Sequence, residues 1–174
     1  RTLAARSLAP RRPKRPAGDE EPLPAVGPVT AELRYVRLAQ QGRYGQWRLA
    51  QRLAELDLTA ANVNGAGQIV AAGSLDSLAK LAEHAPPRTR IMKLQVAGAF
   101  HTHFMAEAIP ALATAAGSLV PRDPRIQILS NTDGEPVTSG AEVVDRLIQQ
   151  VASPVRWDLC QATLARLDVT GLIE

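Results

Sequence analysis

The sequence predicts a mixed α/β fold, and three observations support this prediction. Segments with apolar residues at helical spacing alternate with short apolar runs bounded by glycine and proline. The chain has 174 residues, of which 45% are hydrophobic, enough to bury a core in one domain or two small ones. The alternation runs through residues 45–96 and again through residues 97–174, so we divide the chain there.

The first 44 residues remain unassigned. Residues 1–15 carry six basic residues and no acidic one, and six of the thirteen prolines lie within residues 1–28. Such a stretch buries too little apolar surface to offset its ordering entropy. We expect it to be disordered or not native coding sequence, with a transit peptide as the alternative. Leu33–Leu38 is compatible with a strand, although its alternation is poor.

Residues 45–96 contain a hairpin between two helices. The Asn64-Gly65 dipeptide is a strong tight-turn signal between two apolar runs. Ser74 can cap the second helix, and Pro86-Pro87 end it. The predicted elements are a helix (44–56), two strands (59–63 and 68–72), a helix (75–82) and a strand (88–96). Helix, strand, strand, helix, strand is most of a ferredoxin-like unit, which we predict as a small subdomain.

Residues 97–174 contain three predicted helices and two predicted strands. Ser139 and Glu142 have the spacing of a capping box at the start of an apolar helical stripe, which Ser153-Pro154 ends. Pro110 must lie in the first turn of its helix or kink it. The predicted elements are helices at 104–120, 139–152 and 157–167 and strands at 125–130 and 169–173.

A histidine follows the strand that ends near Val96. His101 lies in a short apolar segment between that strand and the next helix. Because histidine titrates near neutrality, an imidazole fixed between rigid elements can act as a general base. A lone histidine is weak evidence, however, and a hydrogen-bonded structural role is the commoner interpretation of this spacing alone.

The chain carries four ordered motifs, at Ala60–Gly73, Gln95–Met105, Ile128–Gly134 and Gln150–Trp157. Together they resemble the motifs of the malonyl-CoA:acyl-carrier-protein transacylases, the bacterial, free-standing loading enzymes of fatty acid biosynthesis. Gln95–Met105 (QVAGAFHTHFM) is similar to the family's G-A-F-H-[ST] segment, and Ala60–Gly73 (AANVNGAGQIVAAG) to its A-N-x-N-x-x-G-Q segment. Ile128–Gly134 (ILSNTDG) and Gln150–Trp157 (QVASPVRW) resemble its L-S-N-x-D-G and Q-[LV]-x-x-P-V-x-W segments. The resemblance covers roughly residues 50 to 174.

The resemblance implies a fold and a chemistry. Residues 97–174 would be the C-terminal part of an α/β-hydrolase-like acyltransferase domain, here truncated. The reaction would be malonyl transfer from coenzyme A to acyl carrier protein through a Ser-His acyl-enzyme mechanism. His101 would be the base, the main-chain oxygen of Gln150 would orient it, and Phe100 would favour malonyl over branched malonyl groups.

The nucleophile that this chemistry needs is not found in the sequence. None of the seven serines lies in a G-x-S-x-G context. We therefore expect a C-terminal fragment of an [acyl-carrier-protein] S-malonyltransferase that is inactive alone. The alternatives are an acyltransferase domain fragment of a polyketide synthase, a non-catalytic ferredoxin-like binding module, and a pseudoenzyme that holds a carrier protein.

Partners and location follow from the resemblance and from composition. The resemblance implies malonyl-CoA and acyl carrier protein as partners, with a coenzyme A thioester as substrate and no separate cofactor or metal. The basic residues are concentrated in residues 1–15 and aromatic residues are only 3%, which argues against nucleic-acid binding. No apolar run approaches the ~20 residues of a membrane span. Cys160 is the only cysteine, which suits a reducing cytoplasm, and we expect a monomer.

Overall fold

The computed structural model describes residues 33–39, 43–94, 96 and 98–173, with side chains described from residue 49 onward. The prediction for residues 1–28 lies outside these residues. The described strands are β1 (Leu33–Ala39), β2 (Thr59–Gly65), β3 (Gln68–Ser74), β4 (Arg90–Leu94), β5 (Ile128–Leu129), β6 (Pro136–Val137) and β7 (Val155–Arg156). The described helices are α1 (Arg43–Glu55), α2 (Leu75–Glu83), α3 (Ile109–Ala116), α4 (Gly140–Gln150) and α5 (Trp157–Arg166), with a 3₁₀ helix at His103–Ala108. The fold is mixed α/β, as predicted.

Five of the strands form one sheet in the order β4-β1-β3-β2-β7. The first four pair antiparallel, whereas β7 pairs parallel to β2 through Asn62 and Val63. Strand β1 lies within the segment 1–44 that the sequence left unassigned. Because β1 is hydrogen-bonded to both β3 and β4, the sheet extends upstream of the predicted boundary at residue 45.

The predicted β2–β3 hairpin is present, but its loop does not lie at Asn64-Gly65, because these two residues end β2. Gly65 pairs with Gln68, and Ala66 and Gly67 form the two-residue loop between them. All three residues from Gly65 to Gly67 have positive φ, at 80°, 49° and 80°. A two-residue hairpin loop needs this left-handed backbone to match the twist of its strands, and glycine adopts it most readily.

The core lies on both faces of the sheet. One face is covered by α1 and α2, and its buried residues are Leu49, Leu53, Leu58, Ile69, Ala71, Leu78 and Leu81. Ser74 caps α2, as predicted, by accepting a hydrogen bond of 3.1 Å from the Ser77 N–H. The opposite face carries Ala61, Val70 and Ala72, which pack with Ala99 and the partly buried Phe104. The segment around His101 is therefore anchored against the sheet.

Three predicted elements beyond residue 103 differ from the structure. The strand predicted at 125–130 is limited to the two residues of β5. The predicted helix over 104–120 is divided into the 3₁₀ helix and α3, with Pro110 in the first turn of α3, where its missing N–H costs nothing. The predicted strand at 169–173 was wrong, because residues 167–173 have no regular structure. Within the described residues no strand pairs with that segment, and an extended segment without a ladder partner has no stable strand.

Helices α3 and α4 leave an apolar surface uncovered. The groove between them has a volume of about 310 Å³ and is lined by Leu112, Ala115, Ala116, Leu119, Val144, Leu147 and Ile148. We call this surface the α3–α4 groove. Leu147 is 66% exposed and Leu119 is 58% exposed. Exposed apolar patches of this kind mark interaction surfaces.

None of the helices in the described part of the chain combines the length and the apolar character that crossing a membrane requires.

Candidate active site around His101

The segment that carries His101 is held by two buried neighbours. Ala99 and Thr102 are both fully buried, and the Thr102 hydroxyl donates a hydrogen bond of 2.6 Å to the Ala99 main-chain oxygen. This bond closes a tight turn around Phe100 and His101. The buried turn therefore fixes the backbone that carries the imidazole.

We expect Thr102→Val to loosen this turn. The substitution keeps the shape of the side chain but leaves the Ala99 oxygen without the hydroxyl in a fully buried place. An unsatisfied buried polar group costs about 1–3 kcal/mol, so the free energy of unfolding should fall by that amount in urea denaturation. Thr114→Val is the matched control, because the Thr114 hydroxyl makes the same kind of bond to Pro110 on an exposed helix face. Equal losses in the two variants would contradict the argument.

His101 itself has a left-handed backbone and is tied to the end of α4. Its φ is +64°, a region that non-glycine residues rarely adopt. Its main-chain N–H donates to the Val151 oxygen at 2.7 Å, and its Nδ1 lies 2.8 Å from the Gln150 oxygen. The last carbonyls of a helix have no partner within the helix. Here the backbone and ring of one histidine satisfy two of them, which offsets the strain at His101.

The contact with Gln150 defines the protonation pattern of the ring. A carbonyl oxygen can only accept a hydrogen bond, so Nδ1 must carry the proton. In the neutral ring the lone pair is then on Nε2. His101 is only partly buried, so the ring is not enclosed by apolar packing. This is the tautomer that a general base acting through Nε2 requires.

The structure brings His101 and Gln150 together across 49 positions of sequence, in the contact that the resemblance implies. Phe100 lies next to His101 with its side chain 39% exposed. His103 is exposed, and its ring stacks beside Phe104 with ring centroids 4.1 Å apart. Sequence reasoning missed Val151, whose main-chain oxygen holds the His101 N–H. No residue type signals a main-chain acceptor, so the pattern could not have revealed it.

A second turn, Asn131–Gly134, lies close to the end of α4. The Asp133 carboxylate accepts from the Glu135 N–H at 3.0 Å and from Arg146 on α4 at 2.7 Å. Partial burial alone would raise the pKa of Asp133, but the hydrogen bonds from Glu135 and Arg146 outweigh it and lower that pKa below 3.8. The Asp133–Arg146 ion pair therefore links this turn to α4.

This ion pair predicts a pH dependence of stability. Because the pKa of Asp133 is lower in the folded protein, its contribution is present above 3.8 and is lost as the pH falls through the folded-state value. Arg146 also pairs with Glu142 at 2.8 Å, and both pairs are partly exposed. We therefore expect Arg146→Met, which removes both pairs, to cost only about 0.5–1 kcal/mol at pH 7 and low salt. The difference between wild type and variant, measured by urea unfolding, should shrink below pH 3.8 and in high salt. A difference that is constant across this range would contradict the prediction.

Cysteine does not supply a nucleophile here. The Cys160 thiol is buried and donates to the Ser130 oxygen at 3.3 Å. Burial raises the pKa of this thiol, and the charges of Asp133 and Asp158 raise it further. The thiol therefore remains protonated near neutrality. In the described part of the chain, His101 is hydrogen-bonded to main-chain oxygens and no serine hydroxyl contacts it.

No group of three or more histidine, cysteine, aspartate or glutamate side chains within the described ranges could hold a metal ion.

The chain is similar to known proteins over most of its length. It is 54% identical over 127 residues to the malonyl CoA-acyl carrier protein transacylase of Mycolicibacterium smegmatis, a match that covers 71% of this chain and 44% of the relative. Its fold matches the crystal structure of MCAT from Mycobacterium tuberculosis with a TM-score of 0.74 and 47% identity, over 79% of this chain and 45% of that one. No protein-family model matches the chain.

A second solved structure is also similar. The acyltransferase domain of an iterative polyketide synthase from enediyne biosynthesis matches with a TM-score of 0.65 and 29% identity, over 78% of this chain and 36% of that one. This chain spans less than half the length of the curated relatives named malonyl CoA-acyl carrier protein transacylase at 54% identity.

Proposed function

This chain is homologous to the malonyl CoA-acyl carrier protein transacylases, and from that premise we propose that it carries the histidine part of a malonyl transfer site. The reaction would move a malonyl group from coenzyme A to acyl carrier protein in fatty acid biosynthesis. The nucleophilic serine would belong to the part of the family's sequence that this chain does not match. The observation that supports this proposal most strongly is the 2.8 Å contact between His101 Nδ1 and the Gln150 oxygen.

In this proposal His101 acts as general base and then as general acid. Its Nε2 takes the proton of the serine hydroxyl while the serine oxygen attacks the thioester carbonyl, and the carbonyl–sulfur bond then breaks. The imidazolium returns the proton to the coenzyme A thiolate. The carrier protein's thiol then reverses these steps and leaves with the malonyl group. General-base assistance of this kind contributes about 10²–10⁴-fold to a rate.

The end of α4 would help the ring to carry charge. When Nε2 accepts a proton, Nδ1 of the positive ring still donates to the Gln150 oxygen, at the negative end of the helix dipole. The geometry therefore supports both roles of His101.

We assign to Phe100 the selection of the acyl group. Its half-exposed ring is next to His101 in sequence and would line the space beside the reacting carbonyl. A bulky ring there leaves little room for a substituent at the α-carbon of the acyl group. Phe100 would therefore favour malonyl over branched malonyl groups.

We also propose the domain organisation. Residues 45–96 together with β1 would form a ferredoxin-like small subdomain, because the strand order β4-β1-β3-β2 with helices between β1 and β2 and between β3 and β4 is that of this fold. Residues 97–174 would be the C-terminal part of an α/β-hydrolase-like domain. The exposed α3–α4 groove would be covered by the unmatched portion of that domain.

We further propose that this chain is a cytoplasmic monomer and that it is inactive alone.

The proposal is tested by supplying the missing portion. The part of the M. smegmatis relative that this chain does not match is prepared separately and mixed with this chain. Transfer of radiolabelled malonyl from malonyl-CoA to acyl carrier protein is then measured. We expect transfer by the mixture and by a covalent chimera of the two, and none by either component alone. No transfer by a folded chimera would overturn the proposal and favour a non-catalytic binding module.

A polyketide synthase domain is the second candidate, because the enediyne synthase acyltransferase is a structural match. Coding sequence for a ketosynthase or carrier protein adjoining this chain would favour that candidate over the free-standing enzyme.

A further inference from the structure

We propose that the side chains of Gln150 and Thr132 act as positioning residues that hold the Gln150 main-chain oxygen against His101. The catalytic role of these side chains rests on the proposed function. The hydrogen bonds that they make do not depend on it. It concerns two side chains, whereas the contact described above concerns only the main chain of Gln150.

The side-chain amide of Gln150 is hydrogen-bonded to three partners. Its Nε2 donates to the Ser153 oxygen at 2.8 Å and to the Pro154 oxygen at 3.2 Å. Its Oε1 accepts from the Thr132 hydroxyl at 3.2 Å. An amide NH₂ has two hydrogens, and both are used. The side chain thus connects the end of α4, the two residues that precede β7 and the Asn131–Gly134 turn.

Thr132 is itself held in place. Its N–H donates to the Ser130 hydroxyl at 3.2 Å, and the Gly134 N–H donates to the Ser130 oxygen at 2.8 Å. The neighbouring Asn131 oxygen accepts from the Arg156 N–H at 2.7 Å. Thr132 therefore gives Gln150 a fixed partner on a turn that is tied to β7.

This network fixes the peptide that faces the imidazole. The Gln150 oxygen accepts both from His101 Nδ1 at 2.8 Å and from the Ser153 N–H at 3.3 Å. Because the Gln150 side chain closes the same turn through Ser153 and Pro154, its loss frees the peptide to rotate. The His101 ring would then lose the acceptor that keeps its proton on Nδ1.

The test is nitrogen NMR of the full chain with isotope-labelled histidine. The chain has three histidines, so the imidazole signals can be assigned with His84→Gln and His103→Gln. The ratio of the two neutral tautomers of His101 is measured in wild type, Gln150→Ala, Thr132→Val, Thr132→Ser and Gln149→Ala. A neutral hydrogen bond contributes about 0.5–1.5 kcal/mol, so we expect the ratio of Nδ1–H to Nε2–H to fall about 2- to 10-fold in Gln150→Ala.

The other variants separate positioning from general loss of structure. We expect a smaller fall in Thr132→Val, recovery in Thr132→Ser, and no change in Gln149→Ala, which alters an exposed side chain beside Gln150. If Gln150→Ala does not fold, the pair Thr132→Val and Thr132→Ser decides, since the first removes the hydroxyl at this exposed position and the second keeps it. An unchanged tautomer ratio in the folded variants overturns the proposal.

The chimera distinguishes this failure from failure of the proposed function. If it transfers malonyl and the tautomer ratio responds as expected, Gln150→Ala should lower kcat several-fold with KM unchanged. Transfer without a tautomer response would reject the positioning roles alone. A tautomer response without transfer would reject the proposed reaction alone.

Discussion

His101→Ala should reduce malonyl transfer by the chimera by about 10²–10⁴-fold, the contribution expected of a general base. The loss should be in kcat, because the ring acts on the proton of the attacking hydroxyl and not on substrate affinity. Single-turnover acylation, followed by release of coenzyme A, would place the effect in the first half-reaction.

His103→Ala is the matched control for this substitution. His103 is two residues away on the same segment, but its side chain is exposed and stacks beside Phe104. We expect its removal to change transfer less than about 3-fold, since removal of a single exposed contact changes a free energy by at most about 0.5 kcal/mol. Comparable losses of transfer in the two variants would show that the integrity of the segment, and not the His101 imidazole, determines the rate.

Gly134→Ala should be the most destabilising substitution in the turn that holds Thr132. Gly134 has φ of +74°, and a Cβ there would lie 2.4 Å from the Leu159 carbonyl carbon in α5. The clash is with helix backbone, which cannot move aside as a flexible side chain can. Left-handed strain of about 1–2 kcal/mol and overpacking of about 1–3 kcal/mol together predict a loss of about 3 kcal/mol or more in unfolding free energy.

Gly171→Ala is the matched control, because it also replaces a glycine with an alanine. A Cβ at Gly171 meets nothing within 4 Å, so thermal and urea unfolding of that variant should match wild type. A Gly134→Ala protein as stable as Gly171→Ala would contradict the packing of the turn against α5. The clash also explains why glycine ends the Ile128–Gly134 motif.

The local elements were the most predictable part of the fold. Helical spacing, the Ser74 cap and a glycine-rich turn depend on neighbouring residues, so α1, α2 and the β2–β3 hairpin follow from sequence. The loop of that hairpin is nevertheless Ala66-Gly67 and not the expected Asn64-Gly65. Strand β1 was harder to predict because its alternation is poor and its pairing with β3 and β4 is long-range. The two-residue β7 exists only through its parallel pairing with β2, which no local pattern indicates.

The candidate site was predictable only in part. The position of His101 after a strand suggested a general base, but the resemblance was needed to associate it with Gln150. Neither source indicated Val151 or Thr132, because main-chain acceptors and a single hydroxyl on a turn have no distinctive spacing. These contacts depend on how the end of α4 meets two other segments, and that arrangement is visible only in the folded chain.

The most direct test of the account is the tautomer of His101 in the wild-type chain at a pH where the ring is neutral. Nitrogen NMR reports which ring nitrogen carries the proton. We predict that the proton lies on Nδ1, bonded to the Gln150 oxygen, with a free lone pair on Nε2. A neutral ring with its proton mainly on Nε2 would contradict it, because such a ring could not take a proton from a hydroxyl at that nitrogen.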